Sequence, residues 1–115
     1  MRRGEIYYIH PGMPETGSEQ TAGRPAIIVS NNANNKHSAT VEVVYLTTRP
    51  KIGLPTHVKI TSSWRPSTAI CEQITSVSVS RVGNYMGTCS RKEMAELNRA
   101  IKISLGIDYI TNGGI

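Results

Sequence analysis

Hydrophobic residues in the first half of the chain fall into short runs separated by polar segments, a pattern that favours β-strands. Residues 4–10 have strand composition and end at a Pro-Gly turn signal. Residues 25–30 are almost continuously apolar, as is typical of a strand buried on both faces. Residues 40–47 form the strongest strand pattern, which stops before Pro50 because proline cannot continue a strand ladder. Between these two strands, residues 31–36 predict a loop or one irregular helical turn.

The second half of the chain adds further strands before the pattern changes. Residues 56–60 alternate polar and apolar side chains, which indicates a half-exposed strand. Residues 68–74 and 77–82 predict two more short strands, which residues 83–87 extend. Short strands followed by one terminal helix predict a mainly β protein, built as a small antiparallel barrel or curled sheet. Because no linker, repeat or low-complexity tract interrupts the chain, we expect one domain over residues 1–115.

The terminal helix is predicted from its two ends and from its apolar spacing. The sequence Ser-Arg-Lys-Glu at residues 90–93 matches a capping box, with Ser90 as the N-cap residue and Glu93 reaching back to it. Gly106 is placed to end the helix in a left-handed conformation. Apolar residues recur at helical spacing between these ends, and we expect that face to pack on the sheet. They are Met94, Leu97, Ile101 and Leu105, with Ala100 and Ser104 beside them.

The composition is basic, which raises the odds of a polyanionic partner. Thirteen Lys and Arg residues against eight Asp and Glu give a formal net charge of +5, and surface cations attract phosphate groups. Cys71 and Cys89 have neither metal-ligand spacing nor the density of a disulfide scaffold, and we interpret Cys71 as a buried thiol. No stretch approaches the ~20 apolar residues of a membrane span, so we expect a cytoplasmic protein with no membrane partner.

The motifs of most familiar active sites are missing from the sequence. It has no dinucleotide-binding glycine motif, no phosphate-binding loop and no His-Glu-x-x-His zinc motif. The carboxylates are scattered, so we expect no metal ion and no cofactor. His10, His37 and His57 are far apart in sequence; a histidine acid–base pair stays open, because sequence alone cannot bring two of them together.

Arg24 is the most informative single residue. It closes the long polar segment 12–23 and opens an apolar strand, and Pro25 restricts its backbone to extended conformations. A guanidinium held at a strand end can bind a phosphate through two parallel N–H donors. The alternative is an ordinary ion pair, for example with Glu19 or Glu72.

Six segments resemble, in order, the sequence blocks of the MazF/PemK family of toxins, and together they span nearly the whole chain. They are RGEIY at residues 3–7, GSEQ at 17–20, GRPAIIVSN at 23–31, PTHV at 55–58, CEQI at 71–74 and ISLG at 103–106. The resemblance implies a homodimer of SH3-like antiparallel β-barrels, each with a C-terminal helix. It also implies sequence-specific, metal-independent cleavage of single-stranded RNA, and inhibition by a cognate antitoxin peptide similar to MazE.

The resemblance assigns roles to individual residues as well. The family's catalytic arginine falls on Arg24 and its catalytic threonine on Thr47. We expect the ribose 2′-OH to attack the adjacent phosphate, leaving a 2′,3′-cyclic phosphate and a 5′-OH, while these two side chains stabilise the charge. Residues expected to contact the RNA are Ser18, Glu19, Gln20, Asn31, His57, Glu72 and Gln73. Trp64 is expected either to stack on a base or to fill the barrel interior.

Two other functions fit the same fold. MazF-like proteins resemble the CcdB toxins, which poison DNA gyrase and cleave nothing. A basic barrel could also bind RNA without cutting it, and its binding would then depend strongly on salt. Incubation of the purified protein with RNA alone distinguishes these alternatives from a nuclease.

Overall fold

A computed structural model of the chain describes residues 1–12, 23–49 and 53–107. Short strands dominate this part of the chain, and a single long helix follows the last of them. The strands are β1 (Glu5–Ile9), β2 (Arg24–Ile28), β3 (Thr40–Thr47), β4 (His57–Ile60), β5 (Ser67–Ser78) and β6 (Val82–Thr88). The helices are α1 (Asn32–His37), a 3₁₀ turn (Val79–Arg81) and α2 (Arg91–Leu105).

The described strands form one antiparallel sheet in the order β4-β5-β3-β2-β1-β6. The sheet curls without closing, since β4 and β6 share no ladder within the described residues. Gly87 of β6 nevertheless lies against the backbone that follows β4, where a Cβ atom would clash with the carbonyl oxygen of Ser62. Its φ of +146° also favours glycine. The prediction of a mainly β protein with a C-terminal helix is confirmed, and the sheet is curled.

Side chains alternate between two apolar clusters on opposite faces of the central strands. The helix-side cluster takes Ile27 from β2, while Ala26 and Ile28 point to the other face. That other face carries the outer cluster, against which two half-buried tyrosines also pack. The outer cluster consists of Ile9, Ala26, Ile28, Val41, Val43 and Val77, with Tyr7 and Tyr45 against it. As predicted, β2 is buried on both faces. Arg24, its first residue, therefore belongs to a well-packed strand.

Helix α2 has the two ends predicted from the sequence. The Ser90 hydroxyl accepts a hydrogen bond from the Glu93 amide at 3.1 Å, and the Glu93 carboxylate accepts one from the Ser90 amide at 2.8 Å. Gly106 adopts φ 68° at the C-terminal end. Leu97 packs in the helix-side cluster, but the expectation that Leu105 is packed is wrong, because its side chain is 57% exposed. None of the described helices has the length and apolar character needed to cross a membrane.

Strand β5 differs from its prediction. It runs without a break through Ser67–Ser78, where the sequence predicted two strands, and the predicted strand at residues 77–82 is divided by the 3₁₀ turn. Thr75 and Ser76 interrupt the apolar pattern, but they still pair with β3. Their side chains are exposed while the backbone ladder continues, so a polar pair does not end the strand.

Candidate active-site groove

The neighbouring ends of β2 and β3 bring Arg24 and Thr47 together. Ala26 of β2 pairs with Tyr45 of β3, and the register is constant over the following residues. Extending that register by two residues sets Arg24, the first residue of β2, opposite Thr47, the last residue of β3. Opposite residues of antiparallel strands have Cβ atoms about 5 Å apart on one face. In agreement with this register, both residues line the same cavity.

An open cavity of about 430 Å³ lies at these strand ends. Arg24, Thr47, Arg49 and Gln73 all line it, together with carbon atoms of Leu46 and Ile70 that belong to the strands beneath. Its lining residues thus carry two guanidinium groups, the hydroxyls of Thr47, Thr48 and Ser67, and a primary amide. Three residues that the sequence predicted for the site, Arg24, Thr47 and Gln73, share its wall.

Two smaller cavities continue from the first along β4 and β5. A cavity of about 270 Å³ shares Thr47, Arg49 and Ser67 with it, and a third of about 200 Å³ adjoins the second through Lys59. We call the three cavities together the groove. Its cations are Arg24, Arg49 and Lys59, and no Asp or Glu in the described part of the chain lines it. Such a positively charged groove suits a chain of phosphates.

The guanidinium of Arg24 rests on an aromatic ring. Its central carbon lies 4.6 Å from the ring centre of Tyr45, a cation–π contact. The alternative expectation of an ion pair with Glu72 is wrong, because that carboxylate is bound to Thr56 and His57. The other suggested partner, Glu19, lies outside the described residues.

The residue before Arg24 has to be glycine because β1 approaches it closely. A Cβ atom on Gly23 would clash with the hydroxyl of Tyr8 and would lie 2.8 Å from the carbonyl oxygen of Ile9. Ile9 is itself paired with Arg24 in the β1–β2 ladder. Gly23 thus lets β1 fix the start of β2, and with it the point from which the Arg24 side chain leaves the sheet.

Glu72 and His57 form a hydrogen-bonded pair at the far end of the groove. The Thr56 hydroxyl donates to one carboxylate oxygen of Glu72 at 2.7 Å, and His57 Nε2 lies 3.0 Å from the other. The hydrogen bond from Thr56 lowers the pKa of Glu72 most; burial opposes the shift, and the His57 contact adds to it. Since an ionised carboxylate only accepts hydrogen bonds, Nε2 carries the proton in this pair.

The remaining predicted contacts fall elsewhere. Ser18, Glu19 and Gln20 lie outside the described residues. Asn31 is the N-cap residue of α1, where its side chain accepts from the Asn34 amide at 2.8 Å; it follows the end of β2 that is opposite Arg24. The structure therefore does not bring Asn31 into the groove.

Trp64 does not fill the interior of the sheet. It is 65% exposed, and the guanidinium of Arg65 lies 5.2 Å from its ring centre. The expectation that Trp64 fills the barrel interior is therefore wrong.

Sequence reasoning missed three residues of the site. Arg49 was visible in the polar segment after β3, and Lys59 as the exposed member of an alternating strand. Nothing in the sequence marked Tyr45 as part of the site. Tyrosine is common in strands, and the contact with Arg24 depends on the register between β2 and β3.

Comparisons with known proteins show the family to which the chain belongs. Residues 2–105 match the family model described as PemK-like, MazF-like toxin of type II toxin-antitoxin system. A relative from Staphylococcus saprophyticus, named endoribonuclease MazF, is 40% identical over an alignment of 115 positions, which covers 96% of this chain and 95% of the relative.

Solved structures show the same architecture. An endoribonuclease from a mycobacterial species, solved in complex with its cognate antitoxin, has a TM-score of 0.78 and 29% identity; the match covers 95% of this chain and 98% of that one. A MazE–MazF complex from Deinococcus radiodurans has a TM-score of 0.78 at 21% identity, covers 94% and 97% of the two chains, and shares the fold. Because the family model spans nearly the whole chain, this protein belongs to the PemK-like, MazF-like toxins of type II toxin–antitoxin systems.

Proposed function

We propose that this toxin is a sequence-specific, metal-independent endoribonuclease that cuts single-stranded RNA between Arg24 and Thr47. The observation that carries the proposal is that these two residues, at the neighbouring ends of β2 and β3, line the same open, cationic groove. The name of the Staphylococcus saprophyticus relative, endoribonuclease MazF, supports the same activity.

The nucleophile in this mechanism belongs to the substrate. The ribose 2′-oxygen attacks the adjacent phosphorus, the bond from phosphorus to the 5′-oxygen breaks, and the products are a 2′,3′-cyclic phosphate and a 5′-OH end. The 2′-OH proton leaves to water in the open groove, and the departing 5′-oxygen takes up a proton from the same solvent. No activated serine or cysteine is needed, which suits a chain whose Cys71 and Cys89 are buried, with pKa values raised by burial to about 12.

Arg24 and Thr47 supply charge stabilisation and orientation. The guanidinium is protonated at any ordinary pH, so it serves as a donor to the non-bridging oxygens rather than as a general base. Thr47 donates its hydroxyl hydrogen to the same phosphate and holds the 2′-OH in line. Donors of this kind, fixed before the substrate arrives, stabilise the transition state most.

The rest of the groove binds the flanking nucleotides. Arg49 and Lys59 lie along it as contacts for neighbouring phosphates, and Gln73 presents an amide that can read a base edge. The pair of His57 and Glu72 lies beyond Lys59 and contacts a further base. Ser18, Glu19 and Gln20, which lie outside the described residues, are further RNA contacts in this proposal.

The chain acts as a homodimer in the cytoplasm, where its messenger RNA substrates are found, and a cognate antitoxin peptide inhibits it. The similar mycobacterial endoribonuclease was solved with its cognate antitoxin, which supports such a partner here. An acidic and apolar peptide segment would compete with RNA for the cations of the groove. Competition between a candidate antitoxin peptide and a labelled RNA tests this shared site.

Cleavage of a long RNA in the presence of EDTA tests the proposed function. The purified protein should cut at a short recurring sequence and leave 5′-OH ends, whereas Arg24→Ala should lower the rate by more than about 100-fold. Arg99→Ala, which removes an exposed arginine on α2, is the matched control and should cut like the wild type. Intact RNA with the wild-type protein would favour a gyrase-poisoning toxin or a non-catalytic RNA-binding protein.

A further inference from the structure

Tyr45 lies directly beneath the side chain of Arg24. The two residues are on adjacent antiparallel strands, and Tyr45 pairs with Ala26, two residues along β2 from Arg24. Because side chains two apart on a strand share a face, Arg24 and Tyr45 point to the same side of the sheet. The guanidinium carbon lies 4.6 Å from the ring centre.

A contact with an aromatic ring leaves the hydrogen-bonding edge of a guanidinium free. The five N–H donors lie in the plane of the group, so a ring that contacts its flat face leaves them pointing outward. A carboxylate partner would instead occupy two of these donors. Arg24 forms no ion pair and no hydrogen bond through its side chain with any described residue, and it lines the groove.

The ring of Tyr45 is itself held by the protein core. It packs against the outer cluster and does not line the groove, so it supports Arg24 from behind rather than from the side of the substrate. An arginine side chain has several rotatable bonds, and ordering it on substrate binding costs conformational entropy. A fixed ring beneath the guanidinium reduces the number of conformations that the free protein samples.

We propose that Tyr45 is a positioning residue for RNA cleavage, whose ring holds the Arg24 guanidinium at the groove mouth with its donor edge toward the scissile phosphate. This inference rests on the proposed role of Arg24 in catalysis. Tyr45 does not touch the RNA in this arrangement, and its effect is transmitted through Arg24. Its hydroxyl plays no part, since only the ring face meets the guanidinium.

Single-turnover kinetics on a short RNA that contains one cut site test the proposal. Tyr45→Leu should lower the cleavage rate constant about tenfold, the scale expected for loss of one partly desolvated cation–π contact, with little change in the RNA concentration at half-maximal rate. Tyr45→Phe, which keeps the ring, should restore the rate to within about twofold of the wild type. An equal loss in the Phe variant would mean that the hydroxyl acts, and would overturn the proposal.

Tyr7→Leu is the matched control for packing. Tyr7 is also half-buried against the outer cluster, but it lies on β1 and does not contact Arg24. Its loss also removes the hydrogen bond to Glu5 and the ring contact with Tyr85, so it should lower the melting temperature at least as much as Tyr45→Leu does, without the fall in rate. Equal rate losses in the two Leu variants would show that cleavage responds to stability alone, and would contradict a positioning role.

The NMR signal of the Arg24 Nε–H group, measured without RNA, separates this inference from the proposed function. The ring should shift that signal upfield in the wild type and in Tyr45→Phe, and the shift should be absent in Tyr45→Leu. If the signal is shifted but the protein cuts no RNA, the contact between Arg24 and Tyr45 is confirmed and the proposed function is refuted. Normal cleavage with no shifted signal would refute the role of Tyr45 alone.

Discussion

Arg24 and Glu93 are two charged side chains at the ends of secondary-structure elements, but the protein holds them in opposite ways. Glu93 is 6% exposed, and its carboxylate accepts hydrogen bonds from the amides of Ser90, Thr61 and Ser62. The guanidinium carbon of Arg24 lies over the ring of Tyr45, and no described residue accepts a hydrogen bond from its side chain. A charged group that forms its hydrogen bonds with the protein itself contributes to stability. A charged group without such partners in an open groove is available to a ligand.

The same difference appears in how each site is built. Glu93 ties the first turn of α2 to the segment after β4, so its contacts join parts of the chain that are distant in sequence. The groove is built from strand ends whose backbone is already paired, and its side chains add little to folding. We therefore expect substitutions in the groove to reduce cleavage without reducing stability, and substitutions at Glu93 to do the reverse.

The largest effect is expected at Thr47. Thr47→Val removes the hydroxyl at nearly constant volume and should lower the cleavage rate by about 100-fold or more, since a donor fixed at a transition state contributes this much. The hydroxyl oxygen also accepts a hydrogen bond from the Arg49 amide at 3.2 Å. Thr47→Ser keeps the hydroxyl and should therefore lose far less cleavage activity. A Val variant that cuts at the wild-type rate would exclude Thr47 from the chemistry.

Glu93→Gln should lower the free energy of unfolding by about 3 kcal/mol at pH 7, measured by urea denaturation, and leave the cleavage rate of the folded protein unchanged. Burial by itself raises the pKa of Glu93, but the hydrogen bonds from the Ser62 side chain and from the Ser90, Thr61 and Ser62 amides outweigh it and lower the pKa to about 2.

The pH dependence of this stability has a defined sign. A depressed carboxyl pKa stabilises the fold above the ordinary value of 4.5, and the contribution is lost as the pH falls toward about 2. The stability curves of wild type and Glu93→Gln should therefore converge over that interval. Glu96→Gln, which removes an exposed carboxylate 3.7 Å from Lys92, is the control and should cost less than about 0.5 kcal/mol. Parallel curves for wild type and Glu93→Gln would contradict the assignment.

An intermediate effect is expected at Gly23, because this residue affects both the stability of the fold and the position of Arg24. Gly23→Ala forces Tyr8 or the β1 backbone to move, which should destabilise the fold by about 1–3 kcal/mol. It should also displace Arg24 and lower the cleavage rate about tenfold. Gly12→Ala is a fair stability control, since its Cβ atom would lie at an ordinary 3.5 Å from Arg81. A stable, fully active Gly23→Ala protein would show that β1 does not fix the position of Arg24.

The smallest effect is expected at Lys59. Lys59→Ala should weaken RNA binding severalfold and reduce the slope of log affinity against log salt concentration by about 1, as the loss of one phosphate contact does. Lys102→Ala removes an exposed lysine from α2, outside the groove, and should change neither quantity. Equal slopes for wild type and Lys59→Ala, measured by fluorescence anisotropy, would remove Lys59 from the RNA path.

Local signals in the sequence predicted much of this fold. Strand β3 has the bounds that its apolar pattern indicated, and α2 has the predicted capping box because Ser90 and Glu93 are only three residues apart. The other contacts of Glu93, with Thr61 and Ser62, join residues more than 30 apart and follow from packing. For the same reason the continuous β5 was missed: pairing with β3, rather than local composition, carries it past its polar residues.

The candidate site was predictable in part. Arg24 and Thr47 came from short motifs at strand ends and from the family resemblance, and both line the same cavity. The support of Arg24 by Tyr45 and the continuation of the groove past Lys59 depend on strand register and on the curl of the sheet. Neither of these leaves a pattern in a single sequence.

The central claim is that the RNA supplies its own nucleophile while Arg24 and Thr47 stabilise the phosphate. The most direct measurement compares an RNA oligonucleotide containing one mapped cut site with the same oligonucleotide carrying a single 2′-deoxy nucleotide immediately 5′ of the scissile phosphate. We predict that the first is cut to a 2′,3′-cyclic phosphate and a 5′-OH end, and that the second is bound but left intact. Cleavage of the 2′-deoxy oligonucleotide at the same bond would contradict the account.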